Sequence, residues 1–143
     1  MLHVPDHLGE EAYQTIMQKP NVREVVEMIR GARIIVHGIG EAMTMARRRK
    51  LDERTMEELR REGAVAEAFG YYFDRSGAVV YRRATVGLRL QDLETADTVI
   101  GVAGGRSKGE AIAAVLRYGQ NDILVIDEAA AEEALKTMEI RPG

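Results

Sequence analysis

The sequence predicts an α/β domain, a parallel sheet flanked by helices with an antiparallel β-hairpin inserted into it. Three observations carry this reading. Strand-sized apolar runs recur at residues 33–37, 98–103 and 123–126, separated by stretches of helical spacing. Glycine pairs, Gly38-Ile39-Gly40 and Gly104-Gly105, close two of those runs before a helix begins. Strand, glycine turn, helix and strand make a βαβ unit, which sets parallel strands side by side. Between them, residues 66–73 and 78–81 flank the turn Asp74-Arg75-Ser76-Gly77, the pattern of a hairpin.

Taken in order, residues 9–19 have helical spacing and Pro20 ends that helix. Asn21 caps a second helix with Val22, Val25, Val26 and Ile29 on one face, stopped by Gly31. The run 33–37 is continuous enough to be a strand buried on both faces. A helix follows Gly40 through Met43 and Met45 into Arg47-Arg48-Arg49-Lys50. Asp52 caps another, with Met56 and Leu59 inward and Gly63 at its end. Residues 85–90 add a third short strand after the hairpin. The helix 107–118 is closed by Gly119, and an alanine-rich helix, 128–138, comes last. Three parallel strands are few, since sheets average about five or six. A partner half is therefore expected elsewhere.

Composition narrows the classes. At 143 residues, 45% apolar and 30% charged, the chain is one ordinary globular domain. No apolar run approaches the ~20 residues of a membrane span. The start, Met1-Leu2-His3-Val4-Pro5, lacks the charged and apolar regions of a secretory signal, and cytoplasm is the expected compartment. With no cysteine, disulfides and thiolate metal sites are excluded. The net charge of −3 and the absence of a helix-turn-helix argue against DNA binding by this chain itself. His3, His7 and His37 have no metal-ligand spacing, so no metal and no cofactor are expected.

The strongest site signal is Gly104-Gly105-Arg106-Ser107-Lys108-Gly109-Glu110. Glycines let the backbone approach a ligand, and a helix start with two flanking cations suits a phosphate. Ser107 and Glu110 have the spacing of a capping box. No P-loop fits, which disfavours ATP. A solvated, capped turn is the plainer reading. Gly38-Ile39-Gly40 begins like a dinucleotide fingerprint and then fails, with Met43 in place of the third glycine. Both turns nonetheless lie at carboxyl ends of predicted strands, where open α/β sheets bind ligands. Arg47, Arg48 and Arg49 form a basic run within reach, with a solvated face as the simpler alternative. Asp127 reads as a helix cap or a hydroxyl acceptor, and Glu67 as an outward charge or an acceptor for sugar hydroxyls.

Together Gly38-Ile39-Gly40-Glu41-Ala42-Met43-Thr44-Met45-Ala46-Arg47-Arg48-Arg49, Glu67-Ala68-Phe69-Gly70-Tyr71-Tyr72-Phe73, Val102-Ala103-Gly104-Gly105-Arg106-Ser107-Lys108 and Ile126-Asp127-Glu128 resemble the sugar-binding effector domain of the SorC family of transcriptional regulators. The resemblance implies a Rossmann-like fold similar to glucosamine-6-phosphate deaminase and ribose-5-phosphate isomerase. It implies that residues 1–143 are the C-terminal portion of one effector domain, with a separate N-terminal domain as DNA reader. The implied ligand is a phosphorylated sugar, fructose-1,6-bisphosphate, and the implied assembly a homo-oligomer. Carried over by motif, Gly38 and Gly40 line the site, Arg48 and the turn Gly105, Arg106, Ser107 and Lys108 contact phosphate, and Glu67 takes a sugar hydroxyl. Arg47 or Arg49 could stand in for Arg48. The deaminases place a catalytic histidine soon after their own Gly-Ile-Gly turn. Here Glu41-Ala42-Met43-Thr44 follows Gly40, and no catalytic residue is assigned. An isomerase- or deaminase-like enzyme is the alternative.

Overall fold

The computed structural model describes residues 9–139. The segment Leu2-His3-Val4-Pro5, with His3 and His7, lies outside them. Helices α1 (Glu10–Met17) and α2 (Pro20–Arg30) open the described chain. Pro20 does not end α1 and Asn21 is no cap: Pro20 is the first residue of α2, behind Lys19. Its fixed φ and missing N–H suit the first helical turn, where that donor would have no intrahelical acceptor. The Val22, Val25, Val26 and Ile29 stripe turns inward, with Val26 fully buried.

Strands β1 (Ile34–Gly38), β6 (Thr98–Ala103) and β7 (Ile123–Ile126) form a parallel sheet in the order β1-β6-β7. One face is core. Ile35 and Val99 pack there with Ala111, Ile112, Ala114 and Val115 of α5 (Gly109–Tyr118) and Ala130 and Ala134 of α6 (Glu128–Glu139). Each of the larger aliphatics here, Ile35, Val99, Ile112 and Val115, contributes about 1.5–3 kcal/mol. The opposite face was expected to be buried too, and within the described residues it is not. Ile34 (66% exposed), Val36 (64%) and Val125 (53%) stand on it beside Val102 and Ile123. Register explains the grouping: Val36 pairs with Ile100, Ile100 with Ile123, and Val102 with Val125, so their side chains share one side.

A second, antiparallel sheet runs β2 (Gly40–Glu41), β3 (Ala64–Ala68), β4 (Tyr71–Asp74), β5 (Val79–Arg82). Three expectations are corrected here. The stretch 66–73 is not one strand but two, broken at Phe69-Gly70, where φ is +56° and +82°. Two positive φ values make a primed turn, whose twist suits a tight hairpin. A phenylalanine there is atypical, which is why the turn is not legible from composition. Gly40, expected as turn, and Glu41, expected in the helix after it, pair with Glu67 and Ala66 as a short strand. Residues 85–90 are not a strand; irregular chain leads into a 3-10 helix, Leu90–Thr95. Helices α3 (Ala42–Arg48) and α4 (Glu53–Arg61) cover this sheet through Ala42, Ala46, Met56 and Leu59, packed with Tyr72. Asp52 caps α4 as expected, accepting from the Thr55 amide at 2.8 Å.

Candidate functional site

The two glycine turns leave the same edge of the parallel sheet. Gly38 pairs with Val102, and the Ile39 amide donates to the Val102 carbonyl at 3.0 Å. Strand β2 then lies against the 3-10 turn Arg106–Lys108. Gly38 and Gly40 thus adjoin Gly105, Arg106, Ser107 and Lys108 at the carboxyl edge, where α/β sheets present ligand sites.

Asp127 shapes the second turn. One carboxylate oxygen accepts from the Ala130 amide at 2.8 Å, capping α6, and the other from the Gly105 amide at 2.6 Å. A side chain on Gly104 would start 3.0 Å from that second oxygen. Asp127 is therefore both the expected cap and a tether that folds the glycine turn onto α6. The Ala130 amide foremost, then that of Gly105, holds its carboxyl below the ordinary 3.8. A carboxyl lowered in the folded state stabilises the fold fully above its unfolded value and loses that effect as pH falls through the folded value. Asp127→Asn is accordingly expected to be less stable at neutral pH, with the gap from wild type closing on acidification. Urea midpoints between about pH 7 and pH 2.5 measure this; a gap constant with pH would remove the ionic tether.

The capping box does not form. Ser107 sits in the 3-10 turn, α5 begins at Gly109 without a side-chain cap, and Glu110 is engaged by Arg75. A full charge on Arg75 competes better for Glu110 than a backbone N–H does. The cations of the turn also part company. Arg106 reaches away from the glycine edge to Glu132 (2.9 Å) and Glu133 (3.4 Å) on α6. There it lines an open cleft of about 440 Å³ with Ser107, Glu110, Glu133 and Thr137, whose carboxylates repel an anion. Lys108 is half-buried and, among the described residues, makes no ion pair.

Of the three adjacent arginines, Arg47 and Arg48 are exposed, while Arg49 turns inward and meets Glu67 at 3.1 Å. Glu67, 3% exposed, is not an outward charge. It stands in a cross-strand row, opposite Gly40 on β2 and Tyr72 on β4. Its Oε1 also accepts the Gly70 amide at 2.7 Å. Tyr72 is fully buried, and its hydroxyl has no hydrogen-bond partner among the described residues. Burial first, and Glu67 second, push that hydroxyl up to about 12, so it stays protonated. Three elements of this site escaped the sequence reading: the Phe69-Gly70 turn, the Tyr72 hydroxyl and the second role of Asp127. The His37 ring, packed on Phe69 at 4.4 Å and bonded to Asn121 at 2.7 Å, steadies that turn from β1.

The chain is thus a Rossmann-like domain with two glycine turns at the carboxyl edge of its parallel sheet and the buried Glu67 beside them, and comparison with known proteins gives its class. Residues 1–136 match the family model Sugar-bind, a sugar-binding domain. The chain belongs to this family, as the resemblance to SorC-family regulators implied. It is 46% identical over 136 residues to the central glycolytic genes regulator of Priestia megaterium, and 44% identical to that of Bacillus subtilis. Each alignment covers 95% of this chain and 40% of the relative, so the chain spans well under half the length of these proteins. Among solved structures, a SorC family transcriptional regulator from Enterococcus faecalis is 42% identical with a TM-score of 0.86, covering 94% of this chain and 55% of that one. The sugar-binding domain of a Vibrio fischeri transcriptional repressor shares the fold, with a TM-score of 0.82 at 23% identity. By name these relatives are regulators of transcription or of central glycolytic genes, and the Vibrio fischeri one is a repressor's sugar-binding domain.

Proposed function

We propose that the chain is the effector-sensing part of a cytoplasmic repressor of glycolytic genes, and that its ligand is a phosphorylated sugar, fructose-1,6-bisphosphate. The observation that carries this reading is the meeting of two glycine turns with the buried Glu67 carboxylate at one sheet edge. Backbone amides and Lys108 of the second turn, with Arg48 from the rim, take a phosphate; Glu67 accepts from a sugar hydroxyl. Kinship to regulators named for central glycolytic genes favours a glycolytic ligand. No helix among the described residues is long and apolar enough to cross a membrane.

The domain belongs to a longer polypeptide in this proposal. Parallel sheets are covered on both faces, and here Ile34, Val36, Val102, Ile123 and Val125 stand uncovered by the described residues. Further chain of the same regulator packs on that face, and a separate N-terminal domain reads DNA. The whole assembles as a homo-oligomer. Ligand binding favours one subunit arrangement over another and so alters repression.

Calorimetric titration with fructose-1,6-bisphosphate, fructose-6-phosphate and glucose-6-phosphate tests this, on the chain and on a full-length regulator containing it. Saturable binding without turnover, tightest for the bisphosphate, is the expected result. Product formation would restore the isomerase or deaminase reading, and silence from the full-length protein would end the sensor.

A further inference from the structure

Glu67 is held by two groups, and both take the same oxygen. The Gly70 amide donates to Oε1 at 2.7 Å, and the Arg49 guanidinium meets Oε1 at 3.1 Å. Oε2 accepts no hydrogen bond among the described residues, and the shortest contact with the guanidinium falls on Oε1. It lies near Gly40, where a Cβ would stand 3.5 Å from it and closer still to the Met45 side chain, which packs into that space. One oxygen of the carboxylate is thus engaged by the protein, while the other lies beside the glycine turn and the Met45 side chain.

We infer that Arg49 is a positioning residue, which locks Glu67 so that only Oε2 is offered to a ligand hydroxyl at the Gly40 turn. This rests on the proposed sugar-phosphate site and adds its specificity device. Two features support it. Burying a carboxylate is costly unless it is paired and hydrogen-bonded, and Arg49, 23% exposed, is in ion-pair contact with it. The Gly70 donor is fixed independently, by a positive-φ Phe69 whose ring packs on His37. Arg49 and the Phe69-Gly70 turn therefore grip Oε1 from two separate elements. A carboxylate with one fixed free edge accepts from a hydroxyl in one direction, which selects among sugar epimers.

The test separates Arg49 as a positioner from Arg49 as a phosphate ligand. Arg49→Gln is expected to weaken fructose-1,6-bisphosphate about 10- to 100-fold, yet leave binding of inorganic phosphate unchanged. Adding Glu67→Gln to it should cause little further loss, because the two act as one unit. Arg49→Lys, which keeps the charge, should recover part of the affinity. It also serves as the test variant should Arg49→Gln not fold. Independently of any ligand, the Gly70 amide resonance should move in Arg49→Gln. Equal weakening of phosphate and of the bisphosphate would overturn the inference, as would an unmoved Gly70 amide. If the wild-type protein binds no sugar phosphate, the proposed function falls, and the Gly70 amide still decides the clamp.

Discussion

Gly77→Ala is expected to lower stability by about 2–5 kcal/mol, although the residue is at a turn. Gly77 has φ +87°, where a residue with a Cβ is strained by roughly 1–2 kcal/mol. The added Cβ would also stand 2.5 Å from the Tyr118 amide nitrogen and 2.9 Å from the Ala114 carbonyl oxygen. Both are backbone atoms of the α5 end and cannot turn aside as a flexible side chain could, so overpacking adds roughly 1–3 kcal/mol. The turn docks the β4–β5 hairpin onto α5. It is reinforced by Asp74, which accepts from the Ser76 and Ala78 amides at 2.8 and 3.0 Å. Through β4 the same hairpin carries Tyr72 and pairs with Glu67. Urea denaturation should show a lower midpoint with an unchanged slope. A shift smaller than about 1 kcal/mol would mean that the turn and α5 separate freely, and that the hairpin holding Glu67 is not anchored there.

Legibility in the sequence followed the range of the force responsible. Hydrophobic period is local, and it located β6 and β7 at the bounds observed, 98–103 and 123–126. Local capping chemistry was readable at Asp52 and Asp127. It failed at Ser107-Glu110, because Arg75, 35 residues away in sequence, takes Glu110. Which face of the sheet is covered depends on chain that is distant or outside these residues, so Ile34 and Val36 read as buried when they are exposed. The Phe69-Gly70 turn needs a non-glycine at positive φ, supported by a ring on another strand, and no composition rule signals that. At the site, the residue types were legible and their directions were not. Arg47, Arg48 and Arg49 are chemically alike; only the place where α3 ends turns Arg49, and not its neighbours, toward Glu67.

The same distinction separates the cations of the glycine turn. Lys108→Ala is expected to weaken phosphorylated-sugar binding about 10- to 100-fold, whereas Arg106→Ala should change it less than about threefold. A charge-assisted hydrogen bond contributes about 1.5–3 kcal/mol, and each 1.4 kcal/mol is a factor of ten. Lys108 has that interaction to give, since among the described residues no carboxylate pairs with it. Arg106 does not. Its guanidinium is shared between Glu132 and Glu133, which raise its pKa, and recruiting it to a ligand would mean breaking both contacts. Those contacts are solvent-exposed, and exposed pairs contribute little stability. Arg106→Ala should therefore leave the urea midpoint nearly unmoved as well, which makes it the clean control for Lys108→Ala. Titration of both variants with fructose-1,6-bisphosphate reads the contrast directly. Equal losses would mean that Arg106 leaves α6 to join the ligand; no loss in Lys108→Ala would move the phosphate away from this turn altogether.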